Sequence, residues 1–487
     1  MFIDNLLILL LELNLFFIFI IAIIPKHNIK LLRLVSLYSS IILFLLSLFI
    51  WIEFQYDIVR FQFNINFMWL NFFNLHYSLG IDGLSIFFIL LSTLLIPICI
   101  LVSWVSVKYR LKEFLILLLL IEFLLINVFS VLDLLLFYIF FEGILIPMFI
   151  LIGVWGSRSE RVFAAYKFFF YTLIGSLFML IGVLIVYSHT GSTDFFILLN
   201  STFSESRQLL LWLSFFASFA VKIPMLPVHI WLPQAHVEAP TAGSVLLAGI
   251  LLKLGGYGLL RFSLPMFPYA SKFFMPLVFT MSILAIIYAS CTTIRQIDLK
   301  RIIAYSSVAH MNFVTIGIFS YNLQGLEGSV LLMLSHGLVS SALFLIVGMI
   351  YDRYKTRIIR YYNGLAQIMP LFAIFFLFFT FCNISFPGTS GFIGEMLVLL
   401  GAFYINKIVA ILATFGTILG AVYSVWLYNR IFFGSLNTKY INIYSDMNRR
   451  EFFILFPLVI LILIMGIYPN LFLEGLHLNL SNILNYE

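Results

Sequence analysis

Charged residues are scarce in this sequence. Asp, Glu, Lys and Arg make up 10% of the 487 residues, whereas hydrophobic residues make up 63%. Soluble domains carry roughly 25% charged residues, and disordered chains combine low hydrophobicity with high charge, so both classes are excluded. The composition predicts a polytopic membrane protein. The net charge of +6 does not indicate a nucleic-acid partner, because the basic residues of membrane proteins gather in loops.

Cysteine is also scarce, with Cys99, Cys291 and Cys382 lying far apart in apolar stretches. They form no CxxC pair, which argues against a disulfide framework, a thiolate metal site and an iron–sulfur cluster in this chain. The sequence also lacks a GxGxxG turn before a helix, a P-loop and a GxSxG elbow. We therefore expect no metal and no redox cofactor within this chain.

His229, His236 and Glu238 have the residue types of a metal site and lie close together in the sequence. They do not form an HExxH helix. The prolines of the same stretch, at 227, 233 and 240, predict a loop over residues 227–242 because proline interrupts helical hydrogen bonding. We therefore do not expect a metal centre here.

Long apolar segments fill most of the chain, and about 20 such residues suffice to cross a bilayer as a helix. Charged or turn-forming breaks divide the sequence into about fourteen segments, which predicts an all-α fold with residues 1–487 in a single transmembrane domain. The segments are 4–24, 32–52, 82–105, 113–132, 134–153, 162–187, 208–226, 243–262, 273–292, 302–320, 327–351, 366–401, 408–433 and 452–473.

Lys and Arg are concentrated in alternate loops between these segments. Lys26, Lys30 and Arg33 share the first such loop, and the pattern continues along the chain. By the positive-inside rule this alternation predicts an even number of crossings with both termini on the outer side. The first segment has no basic flank and no small-residue cleavage site, so we expect it to remain as a membrane span.

Two of the segments contain helix-breaking residues. Pro224 and Pro227 follow Lys222 in the seventh segment, and Pro387-Gly388 interrupts the twelfth. Irregular backbone at membrane depth must line a cavity or the protein interior. A simple loop between two spans is the other interpretation of Pro387-Gly388. The extra crossing would place every later loop on the opposite side of the membrane, against the distribution of Lys and Arg.

The two interrupted segments are five segments apart. Because five is odd, a five-helix repeat places its two copies in opposite orientations, as in secondary transporters. We therefore expect inverted repeats at about residues 113–262 and 273–433, made of segments four to eight and nine to thirteen. Each repeat then contains one discontinuous helix.

Ionisable residues within the apolar segments are the clearest functional signal. A charge near the bilayer centre costs about 2.5–3.5 kcal/mol and is retained where it is paired, hydrated or used. Opposite charges in neighbouring spans are typical of a proton relay, because low dielectric brings their proton affinities together. The candidates for this relay are Glu142, Lys222, Lys253, Glu395, His310 and His336, with Glu122 as a secondary position.

For the isolated charges, a purely structural role is the alternative to a role in the proton relay. Glu12 lies alone in a peripheral first span, so we expect it to have no role in transport. Lys167 and Arg261 lie near segment ends, where long side chains reach the interface by snorkelling. A static ion pair explains one mid-span charge more easily than it explains several in one bundle.

Three long motifs resemble the antiporter-like membrane subunits of respiratory complex I. They are the runs at 221–258, 137–148 and 388–395, which follow in the same order at the corresponding spans. By this resemblance, Glu142 and Lys222 would be the interacting pair that modulates proton uptake. The resemblance extends to the general course of the chain from the first segment to the fourteenth.

The same resemblance assigns the remaining relay positions. Lys253 would be the central residue, and His310 and His336 would continue the path between two half-channels. Glu395, where other members of the superfamily carry a lysine, would be the exit-side residue. The secondary positions near this path are Glu122, His229 and His236.

The resemblance implies a subunit of a proton-translocating NADH:ubiquinone oxidoreductase in the mitochondrial inner membrane. NADH, FMN, iron–sulfur clusters and ubiquinone would then be bound by other subunits of the complex. The expected partners are neighbouring membrane-arm subunits and lipids such as cardiolipin. Three alternatives stay open from the sequence: a cation/proton antiporter subunit, a structural membrane anchor and a standalone solute transporter.

Overall fold

The computed structural model describes residues 5–58, 60–70, 75–436 and 445–485, and helices dominate it. In chain order the elements are α1 (Leu6–Ile23), α2 (Ile29–Glu53), β1 (Gln62–Leu70), β2 (Leu75–Ile81), α3 (Gly83–Ser106), α4 (Leu111–Ser130), α5 (Leu134–Gly143), α6 (Leu145–Trp155), α7 (Arg161–Thr190), α8 (Phe195–Leu199), α9 (Glu205–Lys222), α10 (Trp231–Glu238), α11 (Thr241–Met266), α12 (Pro268–Phe273), α13 (Met275–Arg295), α14 (Leu299–Ile318), α15 (Leu323–Tyr354), α16 (Pro370–Asn383), α17 (Ser390–Ile405), α18 (Lys407–Phe432), α19 (Arg449–Ile467) and α20 (Asn470–Asn485).

Each predicted membrane segment lies largely in helix, and the twelfth, 366–401, is divided between α16 and α17. Among the described residues, eleven helical stretches are long and apolar enough to cross a membrane, and α16 and α17 are shorter apolar helices. The all-α membrane fold is therefore confirmed. The number of crossings, the single domain over 1–487 and the inverted repeats at 113–262 and 273–433 stay predictions.

The chain divides into two compact units. One comprises Met1–Lys222, Tyr257–Phe274 and Glu474–Glu487, and the other comprises Ile223–Gly256 and Met275–Leu473. Most of the core of each unit is apolar, and the ionisable residues inside it are few. Because a buried charge is costly in such an apolar core, the contacts of each one indicate what stabilises it.

A β-hairpin precedes α3, between the second and third predicted segments. Strands β1 and β2 pair antiparallel, with Phe67 opposite Tyr77. The start of β1 alternates with a period of two: Phe63 and Ile65 are buried, while Asn66 is exposed. This alternation is typical of a half-buried strand, but it is too short to be distinctive in so apolar a sequence.

Both predicted helix interruptions are present. Helix α9 ends at Lys222, whereas the predicted segment continued to residue 226. The backbone is non-helical over 384–389, where Ser385 and Gly388 have positive φ angles of 62° and 91°. Glycine adopts this region without steric cost, which explains why Gly388 suits the turn between α16 and α17.

The expected loop over 227–242 is wrong in part, because residues 231–238 form helix α10. Pro233 is the third residue of this helix, where a backbone N–H has no helical partner and its absence costs little. Helix α10 ends before Pro240, since the residue preceding a proline avoids the α conformation. Proline therefore marks the end of this helix but does not prevent it.

Close backbone contact between α15 and α17 positions part of the candidate site. A Cβ added to Gly328 would lie 2.7 Å from Leu397 Cβ and 2.8 Å from the Val398 nitrogen. A Cβ added to Gly394 would lie 3.0 Å from Leu332 Cα. Glycine at these positions lets the two helices approach, and Glu395 directly follows one of them.

We expect Gly328→Ala to destabilise the protein by about 1–3 kcal/mol, because the added methyl group must push two helix backbones apart. Thermal denaturation of the detergent-solubilised protein measures the effect. Gly420→Ala is the matched control, since its nearest neighbour is the Tyr423 hydroxyl oxygen at 3.8 Å. Equal denaturation midpoints for the two variants would contradict the close packing.

Candidate proton-transfer site

Glu142 and Lys222 form the first group of candidate residues. Lys222 is the last residue of α9 and is 3% exposed, so its cation benefits from the negative end of the helix dipole. Its Nζ lies 4.5 Å from the centre of the Phe141 ring, and its charge interacts with that of Glu142. The structure therefore brings together the two residues that were predicted to interact.

Glu142 lies next to the junction of α5 and α6. Helix α5 ends at Gly143 and α6 begins at Leu145. Pro147 has no N–H with which to continue the hydrogen-bond ladder to Gly143. Ile144 between the two helices keeps helical φ and ψ angles of −67° and −25°, so Glu142 lies within one helical stretch over Leu134–Trp155, in agreement with the predicted span over 134–153.

Lys253 is the centre of the second group. It is fully buried, and its Nζ donates a hydrogen bond to the carbonyl oxygen of Ala248 and lies 2.8 Å from Nδ1 of His336. Helix α11 contains two π-helical turns, Leu247–Leu251 and Leu259–Ser263, on either side of Lys253. Such turns are rare and occur frequently at functional sites.

His310 and Glu395 extend this group. Nδ1 of His310 lies 3.1 Å from Oε1 of Glu395, and the ring centres of His310 and His336 are 5.8 Å apart. Lys253, His336, His310 and Glu395 therefore form a row of ionisable side chains contributed by α11, α15, α14 and α17.

A small cavity adjoins the two histidines. It is lined by His310, Ser335, His336, Asn383 and Ser385, among others, and has about 10 Å³ of space for the centre of a water-sized sphere. This is about the minimum volume that holds one water molecule. The non-helical stretch after α16 contributes to the lining, so the break in the helix places polar groups beside the row.

The secondary positions are buried outside these contacts. Within the described residues, both carboxylate oxygens of Glu122 and both ring nitrogens of His236 have no hydrogen-bond partner. The His236 ring stacks on Phe344, with ring centres 4.5 Å apart. His229 is 4% exposed, and its ring meets the edge of Tyr288. The structure does not bring these three residues into direct hydrogen-bond contact with the relay candidates.

Across residues 5–58, 60–70, 75–436 and 445–485, no group of three or more His, Cys, Asp or Glu side chains has the arrangement of a metal site. His229 and His236 face separate aromatic rings, Tyr288 and Phe344. These contacts favour packed imidazoles over metal ligands.

Sequence reasoning missed a buried ion pair at the far end of α11. Arg261 was expected to snorkel, but it is 6% exposed and donates two hydrogen bonds to Asp82, at 2.8 and 2.6 Å. Its guanidinium also lies 5.0 Å from the centre of the Phe61 ring. Asp82 caps α3 by accepting a hydrogen bond from the Ser85 N–H. The Asp-x-x-Ser pattern signals the cap, but it does not reveal the partner.

Comparison with known proteins gives consistent results. Residues 131–420 match the family described as NADH:quinone oxidoreductase/Mrp antiporter, TM. The chain is 65% identical over 467 residues to NADH-ubiquinone oxidoreductase chain 4 of Chondrus crispus, covering 96% of this chain and 95% of that one. The corresponding protein of Marchantia polymorpha is 60% identical, with 96% and 94% covered.

A solved structure supports the same grouping. The fold is similar to that of a chain in respiratory complex I from Thermus thermophilus with bound NADH, with a TM-score of 0.90. The identity is 30%, and 99% of each chain is covered. The similarity therefore extends over the whole chain, well beyond the span of the family match.

We expect Asp82→Asn to destabilise the protein by about 3–5 kcal/mol, because it leaves the buried Arg261 cation without its counter-charge. Asparagine still caps a helix, so the loss reports the ion pair. Glu113→Gln is the control: it removes the exposed Lys26–Glu113 pair, and we expect less than about 1 kcal/mol. Similar midpoints of thermal denaturation for the two variants would contradict this assignment.

Proposed function

The chain belongs to the NADH:quinone oxidoreductase/Mrp antiporter family, and we propose that six of its ionisable residues carry its proton transfer. It is an antiporter-like, proton-pumping subunit of the complex I membrane arm. The resemblance seen in the sequence is thereby confirmed. The chain is a multi-pass inner-membrane protein of a mitochondrial-type complex, and its neighbours are other membrane-arm subunits.

The observation that supports the proposed route is the row from Lys253 to Glu395. A protonated Lys253 donates to Nδ1 of His336 across 2.8 Å. If the proton moves to Nδ1, Lys253 becomes neutral and His336 becomes a cation that releases a proton from Nε2 towards the adjoining cavity. A water molecule there would pass the proton to Nε2 of His310, whose Nδ1 side faces Glu395.

Glu142 and Lys222 have a different part in this proposal. Their charges interact, so protonation of Glu142 weakens the hold on the Lys222 proton. The pair thus changes state when one proton is gained or lost, and it modulates uptake. Glu122, His229 and His236 are proposed secondary positions, since they are buried ionisable groups, two of them on helices and His229 in the non-helical stretch before α10.

The wider setting is proposed from the relatives. NADH oxidation and ubiquinone reduction take place in other subunits, which bind FMN and the iron–sulfur clusters, and they drive this chain to move protons outward. Both termini are proposed to face the intermembrane space, following the distribution of Lys and Arg. Cardiolipin is a proposed lipid partner, because basic loops at the inner face attract anionic headgroups.

We expect Glu142→Gln and Lys222→Ala to leave the complex assembled while most proton pumping and coupled ubiquinone reduction is lost. Each change removes the group whose charge sets the proton affinity of the other. Proton uptake into vesicles driven by NADH, normalised to the assembled complex on a native gel, measures the effect.

The control for these two variants is Glu12→Gln. Glu12 is an exposed carboxylate within α1, so its neutralisation removes a charge from a span without touching the proposed route. We expect pumping at the unmodified rate. Assembled Glu142→Gln and Lys222→Ala complexes that pump as well as Glu12→Gln would exclude the pair from proton transfer.

A further inference from the structure

Lys300 is a buried cation that the proposed route does not use. It is fully buried and is the second residue of α14. A cation there is disfavoured by the dipole of its own helix. The Lys300 backbone N–H donates to the side chain of Asp298, which caps α14. The N-terminus of this helix is therefore stabilised by the Asp298 carboxylate and not by the lysine side chain. The lysine side chain must therefore be held by something else.

The partner of Lys300 is the joint between α10 and α11. Its Nζ lies 2.8 Å from the carbonyl oxygen of Ala239, the residue that ends α10, and 3.0 Å from Oγ of Ser244 in the first turn of α11. One ammonium group thus connects the end of one helix to the start of the next. Ser244 also donates to the carbonyl oxygen of His236, which tightens the same joint.

A second buried cation binds the same joint. Arg357 is 2% exposed, donates to the carbonyl oxygen of Val237, and lies 4.0 Å from the centre of the Tyr351 ring. Backbone hydrogen bonds join the segments that carry the two cations: Leu299 N–H donates to the Arg357 carbonyl at 2.9 Å. The two cations therefore contact the joint from segments that are hydrogen-bonded to each other.

The charges around Lys300 come from several elements. Glu238, Asp298, Asp352 and Arg357 all interact with it electrostatically. The His236 imidazole interacts electrostatically with the charges of both Lys300 and Lys253. The charges of Lys300 and Lys253 thus act on the same imidazole, and the start of α11 connects the two residues mechanically.

We propose that Lys300 is a positioning residue for proton transfer at Lys253, and that it acts by fixing the joint of α10 and α11 through Ala239 and Ser244. This inference depends on the proposed route through Lys253. Ser244 and Lys253 are on the same helix, so displacement of the joint moves Lys253 relative to His336 on α15. Misplacement by about 1 Å in a reacting pair can cost about 100-fold in rate.

The test compares Lys300→Met with Lys300→Arg in the assembled complex. Methionine keeps the length and removes the charge, whereas arginine keeps a cation able to donate to the same two oxygens. We expect Lys300→Met to lower NADH-driven proton pumping about tenfold or more per assembled complex and Lys300→Arg to restore part of it. We also expect the pH optimum of Lys300→Met to move upward, because loss of the Lys300 cation, whose charge acts on His236, eases proton binding in that region.

Arg301→Met is the matched control, since Arg301 is the adjacent cation and is exposed. We expect it to leave the pumping rate and the pH optimum unchanged. Assembled Lys300→Met complex with the unmodified rate and pH optimum would overturn the proposal. A lower yield of complex with unmodified rate and pH optimum per assembled complex would also overturn it, because only a structural role would remain.

Two further variants keep the test decisive. If Lys300→Met does not assemble, Ser244→Ala removes one of the two acceptors and retains the cation. We then expect a smaller loss of pumping, and an unmodified rate would refute the positioning role. Lys253→Met, measured in parallel, tests the route itself. Normal pumping by the Lys253→Met complex would refute the proposed function. Loss of pumping in Lys253→Met together with normal pumping in Lys300→Met would refute only the positioning role of Lys300.

Discussion

The cost of placing charge in an apolar interior governs this structure. A buried ion needs a counter-charge, hydrogen bonds or water, because desolvation costs several kcal/mol per ion. The chain meets this requirement differently at different places. Arg261 has the carboxylate of Asp82, Lys300 has backbone and hydroxyl oxygens, and Lys253 has a carbonyl and an imidazole. A fully matched ion pair holds its protons firmly, whereas a cation supported by neutral acceptors can release one.

The candidate site was partly visible in the sequence for the same reason. Lys222 and Lys253 stand out because they interrupt long apolar segments, where an unused charge would be lost. Arg261 and Lys300 did not stand out, since they lie at segment ends, where snorkelling or a loop position explains a basic residue. Only the tertiary fold shows that both are buried and which oxygens they contact. The sequence signal for a buried charge is therefore strong in the middle of a span and weak at its ends.

The fold was predictable to a similar degree. Hydropathy located the helices because every backbone polar group in a bilayer must be satisfied within its own segment. Proline and glycine located the breaks at 223–230 and 384–389. The two π-helical turns of α11 contain no proline that could have signalled them. Helix α10 shows the reverse error, in which proline was given too much weight.

Irregular backbone recurs beside the proposed relay. Lys222 is the last residue of α9, and Lys253 lies between two π-helical turns. Regular helices direct all their carbonyl oxygens into their own hydrogen bonds, so they offer little to a side-chain ammonium group or to water. An interruption leaves carbonyls available and lowers the cost of keeping an ionisable group at membrane depth. The breaks and the charges therefore depend on one another: the bent backbone supports charges that a straight bundle of this composition would exclude.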